Sequence, residues 1–125
     1  MDEAVRKALE QDRTIDITTR GRKTGRYRRK EIWFHNLDGE LYITGSPGRR
    51  DWYANLLANP QFTFHLKHGA QADLPARATP IVDRDTRQDI IARIRQKLGG
   101  RSEFYNRRDL DAWVDGSPLV RVEFL

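Results

Sequence analysis

The sequence predicts a mainly β protein of the α+β class, in which a small six-stranded antiparallel barrel carries flanking helices. Six short segments alternate apolar and polar residues, as strands with one buried face do. Tight turns join most of these segments, and one long helix comes late in the chain. Strands and helices do not alternate, so a parallel doubly wound sheet fits the pattern badly.

Composition and charge set the broad class of the protein. The 125 residues are enough for one domain, 1–125, with a single core. Charged residues make up 33% and hydrophobic residues 38%, which is polar but still typical of a folded domain. The net charge of +5 favours an anionic partner. The sign alone does not choose among a nucleotide, a nucleic acid and a membrane surface.

Several features are missing from the sequence. It contains no cysteine, which excludes disulfides, thiolate catalysis and thiolate metal sites. His35, His65 and His68 lack metal-ligand spacing, so no metal site is expected, and the last two could face solvent. No apolar run is long enough for a membrane span, and the first residues lack the apolar core of a signal peptide. We therefore expect a soluble, cytoplasmic protein.

The first half of the chain is predicted to hold one helix and a three-stranded meander. The helix has apolar residues on one face and charged residues on the other. The last two strands are joined by Asp38-Gly39, a dipeptide that accepts the positive φ values of a type I′ turn. The predicted bounds are 2–11 for the helix and 14–19, 28–36 and 41–44 for the strands.

The second half is predicted to hold three helices and three strands. Asn59-Pro60 ends the first helix, whose residues Trp52, Tyr53, Leu56 and Leu57 are most simply core. Asp83 caps the long helix, which carries a stripe of isoleucines and is stopped by Gly99-Gly100. The predicted bounds are 51–58, 84–98 and 110–114 for the helices and 61–67, 76–82 and 119–125 for the strands.

A basic turn lies between the first two predicted strands. Seven of the thirteen residues 18–30 are Arg or Lys. Gly21 and Gly25 accept positive φ, so the backbone can fold sharply and gather its N–H groups. The cations of the turn, Arg22, Lys23, Arg26 and Arg28, can then point at one small volume. Such an arrangement suits a phosphate. The alternative is a hairpin with a solvated basic tip.

A second loop, residues 45–50, precedes the helix at 51–58. Ser46, Arg49 and Arg50 could form another anion-binding corner at the helix N-terminus. Asp51 could instead cap that helix, which would make the loop an ordinary connection between strand and helix.

Together these motifs resemble the deazaflavin-dependent nitroreductase family. The shared features are the turn Gly-Arg-Lys-Thr-Gly followed by Arg28, the Asp-Gly hairpin, Gly-Ser-Pro-Gly, and the segment Asp-Trp-Tyr-Ala-Asn-Leu-Leu-Ala-Asn-Pro. They span residues 13–98. The resemblance implies a split β-barrel of the pyridoxamine-phosphate-oxidase-like, FMN-binding type. It also implies the deazaflavin coenzyme F(420) as cofactor and frequent assembly into homodimers, here with Trp33 as an interface residue.

The resemblance also implies roles for particular residues. Arg22, Lys23 and Arg28, with Thr24 in the same turn, would hold the phosphate-bearing tail of the coenzyme. Ser46 and the helix residues Trp52 and Asn55 would line the rest of the site. Pro47 stands where relatives commonly have Lys, so Arg49 or Arg50 would supply the missing cation.

The activity that the resemblance implies is hydride transfer from reduced F(420) to a small electrophilic acceptor such as a quinone, a nitroaromatic or an enone. Tyr105 and His35 are weak candidates for a proton donor, and each is also explained by a structural role. One alternative is a reductase that binds FMN, and another is a cofactor carrier without catalysis. A more distant one is a nucleic-acid binder that stacks bases on Tyr27 and Trp33, although we expect no nucleic-acid partner.

Overall fold

The computed structural model describes residues 1–99 and 109–125 of the chain. Six strands and four helices lie in this described part. The strands are β1 (Thr14–Arg20), β2 (Tyr27–Leu37), β3 (Glu40–Thr44), β4 (Gln61–Leu66), β5 (Ala72–Pro80) and β6 (Leu119–Phe124). The helices are α1 (Glu3–Gln11), α2 (Asp51–Ala58), α3 (Arg84–Leu98) and α4 (Leu110–Gly116). None of these helices has the length and apolarity needed to cross a bilayer.

The six strands form a closed barrel in the order β1-β2-β3-β6-β5-β4. Every neighbouring pair is antiparallel, and the pairing of β1 with β4 closes the ring. The predicted antiparallel barrel with flanking helices is therefore confirmed.

The barrel interior is filled by alternate residues of its strands, because successive side chains of a strand point to opposite faces. Phe64 lies at the centre of this cluster and meets both Phe34 and Phe124 edge to face, with ring centroids 5.3 Å apart in each pair. Helices α1 and α2 bury Leu9, Trp52 and other apolar residues against the same cluster. The position of α2 matters for function, because it places that helix beside the turn between β1 and β2.

A second apolar cluster lies where α3 and α4 pack on the barrel. The predicted stripe of α3 is confirmed, and Trp113 and Val114 of α4 are fully buried beside it. As predicted, the Asp83 carboxylate caps α3, since it accepts a hydrogen bond from the Thr86 N–H at 2.9 Å. This packing holds the end of α4 close to the loop before α2.

Strand β5 begins at Ala72, four residues before the predicted start, and ends at Pro80 rather than at residue 82. Pro75 therefore lies within β5 and not in the loop before it, although proline lacks the N–H that a sheet ladder needs. Its carbonyl accepts a hydrogen bond from the Leu125 N–H at 3.0 Å, so its backbone faces the β6 side. Because the backbone of Pro75 faces away from β4, the missing N–H removes no bond of the β4–β5 ladder. On the other side, Pro75 stands beyond the last paired residues, Ala76 and Phe124.

Three further predictions about single residues are wrong. Asp51 does not cap α2: Arg50 is the N-cap residue and makes no side-chain cap hydrogen bond. Leu57 is 54% exposed, because it lies on the helix face that turns away from the barrel. His65 does not face solvent, since side chains of the neighbouring strands cover its ring. The His65 ring is hydrogen-bonded to Thr18 at 2.7 Å and to Asp73 at 2.6 Å.

Candidate cofactor site at the basic turn

The turn between β1 and β2 is closed by its own backbone. The Gly21 N–H donates to the Arg26 carbonyl at 2.7 Å, and the Gly25 N–H donates to the Gly21 carbonyl at 2.9 Å. Gly25 has φ of 72°, a value that residues with a Cβ rarely adopt. A Cβ on Gly21 would lie 3.1 Å from the Arg26 carbonyl oxygen. Gly25 is therefore needed for the observed compact turn, whereas a side chain at Gly21 would require the Arg26 carbonyl to shift slightly.

Asn55 of α2 joins this turn to the body of the protein. Its side-chain oxygen accepts hydrogen bonds from the Arg22 backbone N–H at 3.1 Å and from Arg22 Nη1 at 3.0 Å. Its amide nitrogen donates to Thr19 Oγ1 at 3.5 Å. Asn55 is 4% exposed, so these bonds form away from competing water. The amide therefore fixes both the backbone of the turn and the direction of one cation.

A cavity of about 330 Å³ opens beside the turn. Arg22 contacts Asp51 at 3.6 Å, but that carboxylate is almost fully exposed and the ion pair is screened by solvent. Within residues 1–99 and 109–125, Lys23 and Arg28 make no ion pair or side-chain hydrogen bond. The lining residues are Gly21, Arg22, Lys23, Thr24, Arg28, Asp51 and Asn55.

Strand pairing explains why the cavity is open to a ligand. Strand β2 pairs with β1 from Tyr27 to Trp33, but it pairs with β3 only from Phe34 to Leu37. The first half of β2 therefore has a neighbour on one side only, and Arg28 stays exposed. Three cations line one small volume, and two of them have no acidic partner in the described part. Such an arrangement suits an anion of phosphate size.

Backbone donors add to the charge of this site. The N–H groups of Lys23 and Thr24 make no hydrogen bond to any described residue, and both lie at the tip of the turn. The Thr24 hydroxyl accepts a hydrogen bond from the Arg26 N–H at 3.2 Å, which holds the side chain over the turn. Free N–H groups at a tight bend are a recurring way to bind phosphate oxygens.

The loop before α2 does not contribute the second set of cations that the sequence suggested. The Arg50 guanidinium donates to the carbonyls of Arg49 at 2.8 Å and Ser46 at 3.1 Å. It also donates to Ser46 Oγ at 2.5 Å, so Arg50 and Ser46 hold the loop in shape. Arg49 lines a different cavity. Pro47 packs against Gly116, at which an added Cβ would lie 3.0 Å from the Pro47 Cβ.

The structure thus gathers five of the nine predicted cofactor residues around the basic cavity: Arg22, Lys23, Thr24, Arg28 and Asn55. Trp52 is buried in the barrel core and meets Tyr53 edge to face at 5.9 Å. Asp51 is a lining residue that was considered only as a helix cap. Its position one turn before Asn55 on the same helix face is the signal that could have found it.

Of the two candidate proton donors, only His35 can be located, and it does not line this cavity. Tyr105 lies outside the described residues. His35 is buried under α3, and its burial lowers its pKa to about 4, with a smaller contribution from the nearby charge of Lys97. The imidazole is therefore neutral at pH 7.

Comparison with solved structures places the barrel among known folds. A conserved hypothetical protein from Mycobacterium tuberculosis superposes with a TM-score of 0.72 at 18% identity, covering 99% of this chain and 81% of that one. A putative pyridoxamine 5'-phosphate oxidase from Listeria innocua gives 0.66 at 11% identity, covering 96% and 90%. An F(420) reductase gives 0.63 at 19% identity, covering 100% and 96%. The fold is the split barrel of the pyridoxamine-phosphate-oxidase type.

Comparison of the sequence with known families identifies the family as well as the fold. The model of the family described as F(420)H(2)-dependent quinone reductase matches residues 2–114, which is most of the chain. The match includes the basic turn, the loop before α2 and α2 itself, the segments on which the resemblance to deazaflavin-dependent reductases rests. That resemblance is confirmed: this chain belongs to the F(420)H(2)-dependent quinone reductase family.

Proposed function

We propose that this protein is an oxidoreductase that passes a hydride from reduced F(420) to a small electrophilic acceptor, such as a quinone, a nitroaromatic or an enone. The observation that carries the proposal is the basic cavity. In a chain whose family is F(420)H(2)-dependent, the cavity holds three cations, two of them unpaired among the described residues.

The residues of the cavity fit the phosphate of the coenzyme. Lys23 and Arg28 would each give a charge-assisted hydrogen bond to a phosphate oxygen, and Arg22 would give one from the guanidinium nitrogens that Asn55 leaves free. The Thr24 hydroxyl and the free N–H groups of the turn would complete the set. When bound, reduced F(420) supplies the hydride, and the chemistry of that transfer belongs to the coenzyme.

The role of the protein in this proposal is to bind and to position. The Arg22–Asn55 contact holds one cation in place before the coenzyme arrives, so less ordering is needed on binding. The acceptor takes up a proton as well as a hydride. His35 is buried, neutral at pH 7 and absent from the cavity lining, so we assign the proton to solvent rather than to this histidine.

FMN is the second candidate cofactor, because the turn recognises a phosphate and FMN carries one. The putative pyridoxamine 5'-phosphate oxidase among the structural neighbours shares the fold in which this alternative would apply. A nucleic-acid role is supported less well, because the unpaired cations converge on one bend instead of following an extended stripe.

The test combines turnover with cofactor binding. Purified protein is assayed with reduced F(420), and in parallel with reduced FMN, against quinones, nitroaromatics and enones. Affinity for F(420) is measured for Lys23→Ala, Arg28→Ala and the control Lys7→Ala, an exposed lysine on α1 without an ion pair in the described residues. One lost charge-assisted bond, about 1.5–3 kcal/mol, should weaken binding roughly tenfold or more.

Turnover with reduced F(420), together with weaker binding in both cavity variants but not in Lys7→Ala, would support the proposal. Turnover with FMN alone would move the protein to the flavin-dependent enzymes. Tight F(420) binding without any turnover would leave a carrier role. Unchanged affinity in both cavity variants would show that the basic cavity does not hold the coenzyme.

A further inference from the structure

The first half of β2 is a free edge of the barrel sheet. Strand β2 pairs with β1 from Tyr27 to Trp33, whereas its pairing with β3 begins only at Phe34. Residues 26–31 are all exposed. In the described part of the chain, no residue outside β1 makes a backbone hydrogen bond with residues 27–33. Such an edge presents unpaired N–H and C=O groups, so another strand can add to the sheet there.

Hydrogen bonds at both ends of this stretch show which backbone groups face the free edge. The Arg26 carbonyl accepts from the Gly21 N–H at 2.7 Å, and the Phe34 N–H donates to the Arg13 carbonyl at 3.0 Å. Even-numbered residues of β2 therefore turn their backbone toward β1. Because backbone groups alternate in direction along an antiparallel strand, the odd-numbered residues turn theirs toward the free edge. None of these residues, 27, 29, 31 and 33, is proline, so each has an N–H to donate.

The free edge is complementary to a second copy of itself. Facing backbone groups meet only when odd-numbered residues lie opposite odd-numbered residues. In the antiparallel register centred on Lys30, Arg29 lies opposite the partner's Glu31. The same register places Tyr27 opposite the partner's Trp33, and these rings are 73% and 41% exposed in the single chain. Opposite charges and aromatic pairs at facing positions stabilise a sheet, whereas a register centred on residue 29 or 31 would oppose like charges.

The ion pairs around Arg29 and Glu31 favour the same register. Arg29 Nε donates to Asp16 at 2.9 Å, and its two terminal nitrogens make no ion pair or hydrogen bond in the described part. Lys67 contacts Asp16 at 2.7 Å and also contacts Glu31, whose side chain is still 62% exposed. A bond from Arg29 to the partner's Glu31 would therefore use free atoms on both sides. It would join the two networks into one chain of alternating charges.

Lys30 connects this edge to the basic cavity. Side chains of even-numbered residues share the other face of β2, so Lys30 lies on the same side as Arg28, which lines the cavity. The register centred on residue 30 brings Lys30 directly opposite the partner's Lys30. Two ammonium groups at facing positions repel each other, and an anion bound between them removes this repulsion. Each chain would thus supply a lysine near the partner's basic cavity, and a bound anion would strengthen the pairing.

We infer that two copies of this protein pair through the first half of β2, antiparallel over residues 27–33 and centred on Lys30. Four facing pairs would form about eight backbone hydrogen bonds. The two edges occupy each other, so the pairing closes a two-fold dimer and does not continue into a fibre. Only the identity of the anion, as the phosphate of F(420), rests on the proposed function.

Disulfide trapping tests the register, because the chain has no cysteine of its own. In the inferred register only residue 30 lies opposite itself, with Cα atoms about 4.5 Å apart, which a disulfide can bridge. Residues 29 and 31 would each lie roughly 9 Å from their own copies, which is too far. The variants are oxidised mildly at micromolar concentration, and Lys7→Cys on α1 reports random collision. We expect Lys30→Cys to form the covalent dimer about tenfold faster than Arg29→Cys, Glu31→Cys or Lys7→Cys.

Proline at residue 29 tests the edge without a thiol. The Arg29 N–H faces the free edge, so Arg29→Pro removes no backbone bond of the single chain and blocks one bond of the pairing. Arg29→Ala is the matched control, since it loses the same side chain and keeps the N–H. Light scattering should show dimerisation severalfold weaker in Arg29→Pro than in Arg29→Ala, with circular dichroism unchanged in both.

Inorganic phosphate tests the link to the basic cavity. Compared with chloride at equal ionic strength, phosphate should strengthen dimerisation of the wild type severalfold. The same addition should have no such effect on Lys30→Ala, in which the facing ammonium groups are absent. A wild-type dimer that is indifferent to phosphate would overturn the link between the pairing and the cavity.

Two results would overturn the pairing itself. One is trapping that is fastest at residue 29 or 31, or no faster for Lys30→Cys than for Lys7→Cys. The other is equal dimerisation of Arg29→Pro and Arg29→Ala. None of these measurements uses the coenzyme, so their failure would leave the proposed function standing. Rapid trapping of Lys30→Cys, in a protein without F(420)-dependent turnover, would support the pairing and remove the proposed function.

Discussion

Asn55 shows how one buried amide can set the geometry of a charged site. It accepts two hydrogen bonds from Arg22 and donates one to Thr19, so it links α2, β1 and the basic turn. The sequence resemblance suggested that this residue lines the cofactor site. The contacts give it a positioning role, because its oxygen is already used by Arg22.

Replacing Asn55 should therefore affect both stability and binding. Asn55→Leu leaves the Arg22 N–H and Thr19 hydroxyl without partners, and we expect a loss of about 1–3 kcal/mol in the free energy of unfolding. F(420) affinity should fall as well. Asn55→Gln keeps an acceptor oxygen without placing a negative charge in the wall of the basic cavity, and it should retain more affinity than Asn55→Leu. Urea denaturation and coenzyme titration measure the two effects. Equal affinity of the two variants would contradict the positioning role.

His35 makes the stability of the fold depend on pH. Its pKa is lowered from 6.5 to about 4, first by burial and then by Lys97. Between these two values the unfolded chain binds a proton that the folded chain does not. The free energy of unfolding should therefore rise with pH across this window. When the pH falls through the same window, up to about 3 kcal/mol of it should be lost.

The measurement for His35 is urea denaturation at several pH values between 4 and 7. In His35→Gln the residue no longer titrates, so this part of the slope should disappear. His68→Gln is the control, because that histidine is exposed at the surface. A slope that survives in His35→Gln would assign the acid sensitivity to other groups.

At the scale of the element, the two turns of the β1–β2–β3 meander differ in length, in hydrogen bonding and in the residues that they present. The Asp38-Gly39 turn is a plain hairpin, with φ of 54° and 95° at its two residues. The turn at residues 21–26 is longer, closes on its own backbone and presents cations to a cavity. Both depend on a glycine with positive φ, so they offer a direct comparison.

We predict that Gly25→Ala and Gly39→Ala destabilise the fold by similar amounts, about 1–2 kcal/mol each, because both force a Cβ into a left-handed conformation. Only Gly25→Ala should also weaken F(420) binding, because only that turn carries Lys23 and its free N–H groups. Thermal unfolding and coenzyme titration of the two variants give the answer. Equal coenzyme affinity in both variants would show that F(420) binding does not depend on the geometry of the basic turn.

At the scale of the whole molecule, the exposed side chain of Trp33 is the feature that favours a protein interface. It is 41% exposed on the outer face of β2, in the half of the strand that pairs only with β1. Exposed tryptophans are enriched at the centres of protein interfaces. We propose that a second copy of this chain covers it in a homodimer that buries more than about 1,000 Å².

The dimer prediction is tested by light scattering at micromolar concentration. The wild type should have twice the mass of the chain, and Trp33→Glu should shift it toward the monomer. Leu57→Glu is the matched control and should remain dimeric, since Leu57 is another exposed apolar residue and lies on α2. A monomeric wild type would contradict the proposal.

The sequence by itself determined the strands, the helices and the basic turn, because each depends on neighbours in the chain. Alternation defined the barrel strands, the isoleucine stripe defined α3, and glycines beside cations defined the basic turn. Each of these patterns involves residues that are close in the sequence, so it can be recognised without the tertiary structure. The prediction from sequence was wrong at places such as Pro75, which lies within β5. There the strand register decides which backbone groups need hydrogen-bond partners.

Only the tertiary structure decided which residues meet. Barrel closure and the packing of α2 bring Asn55 to Arg22, 33 residues away in sequence. The same packing turns Arg49 to the far side of α2 and leaves Arg50 to stabilise its own loop. The hydrogen bonds of Arg87 to the carbonyls of Ile81, Val114 and Ser117 have no signal in the sequence. These carbonyls lie in separate segments of the chain, and only strand pairing and helix packing set the distances between them.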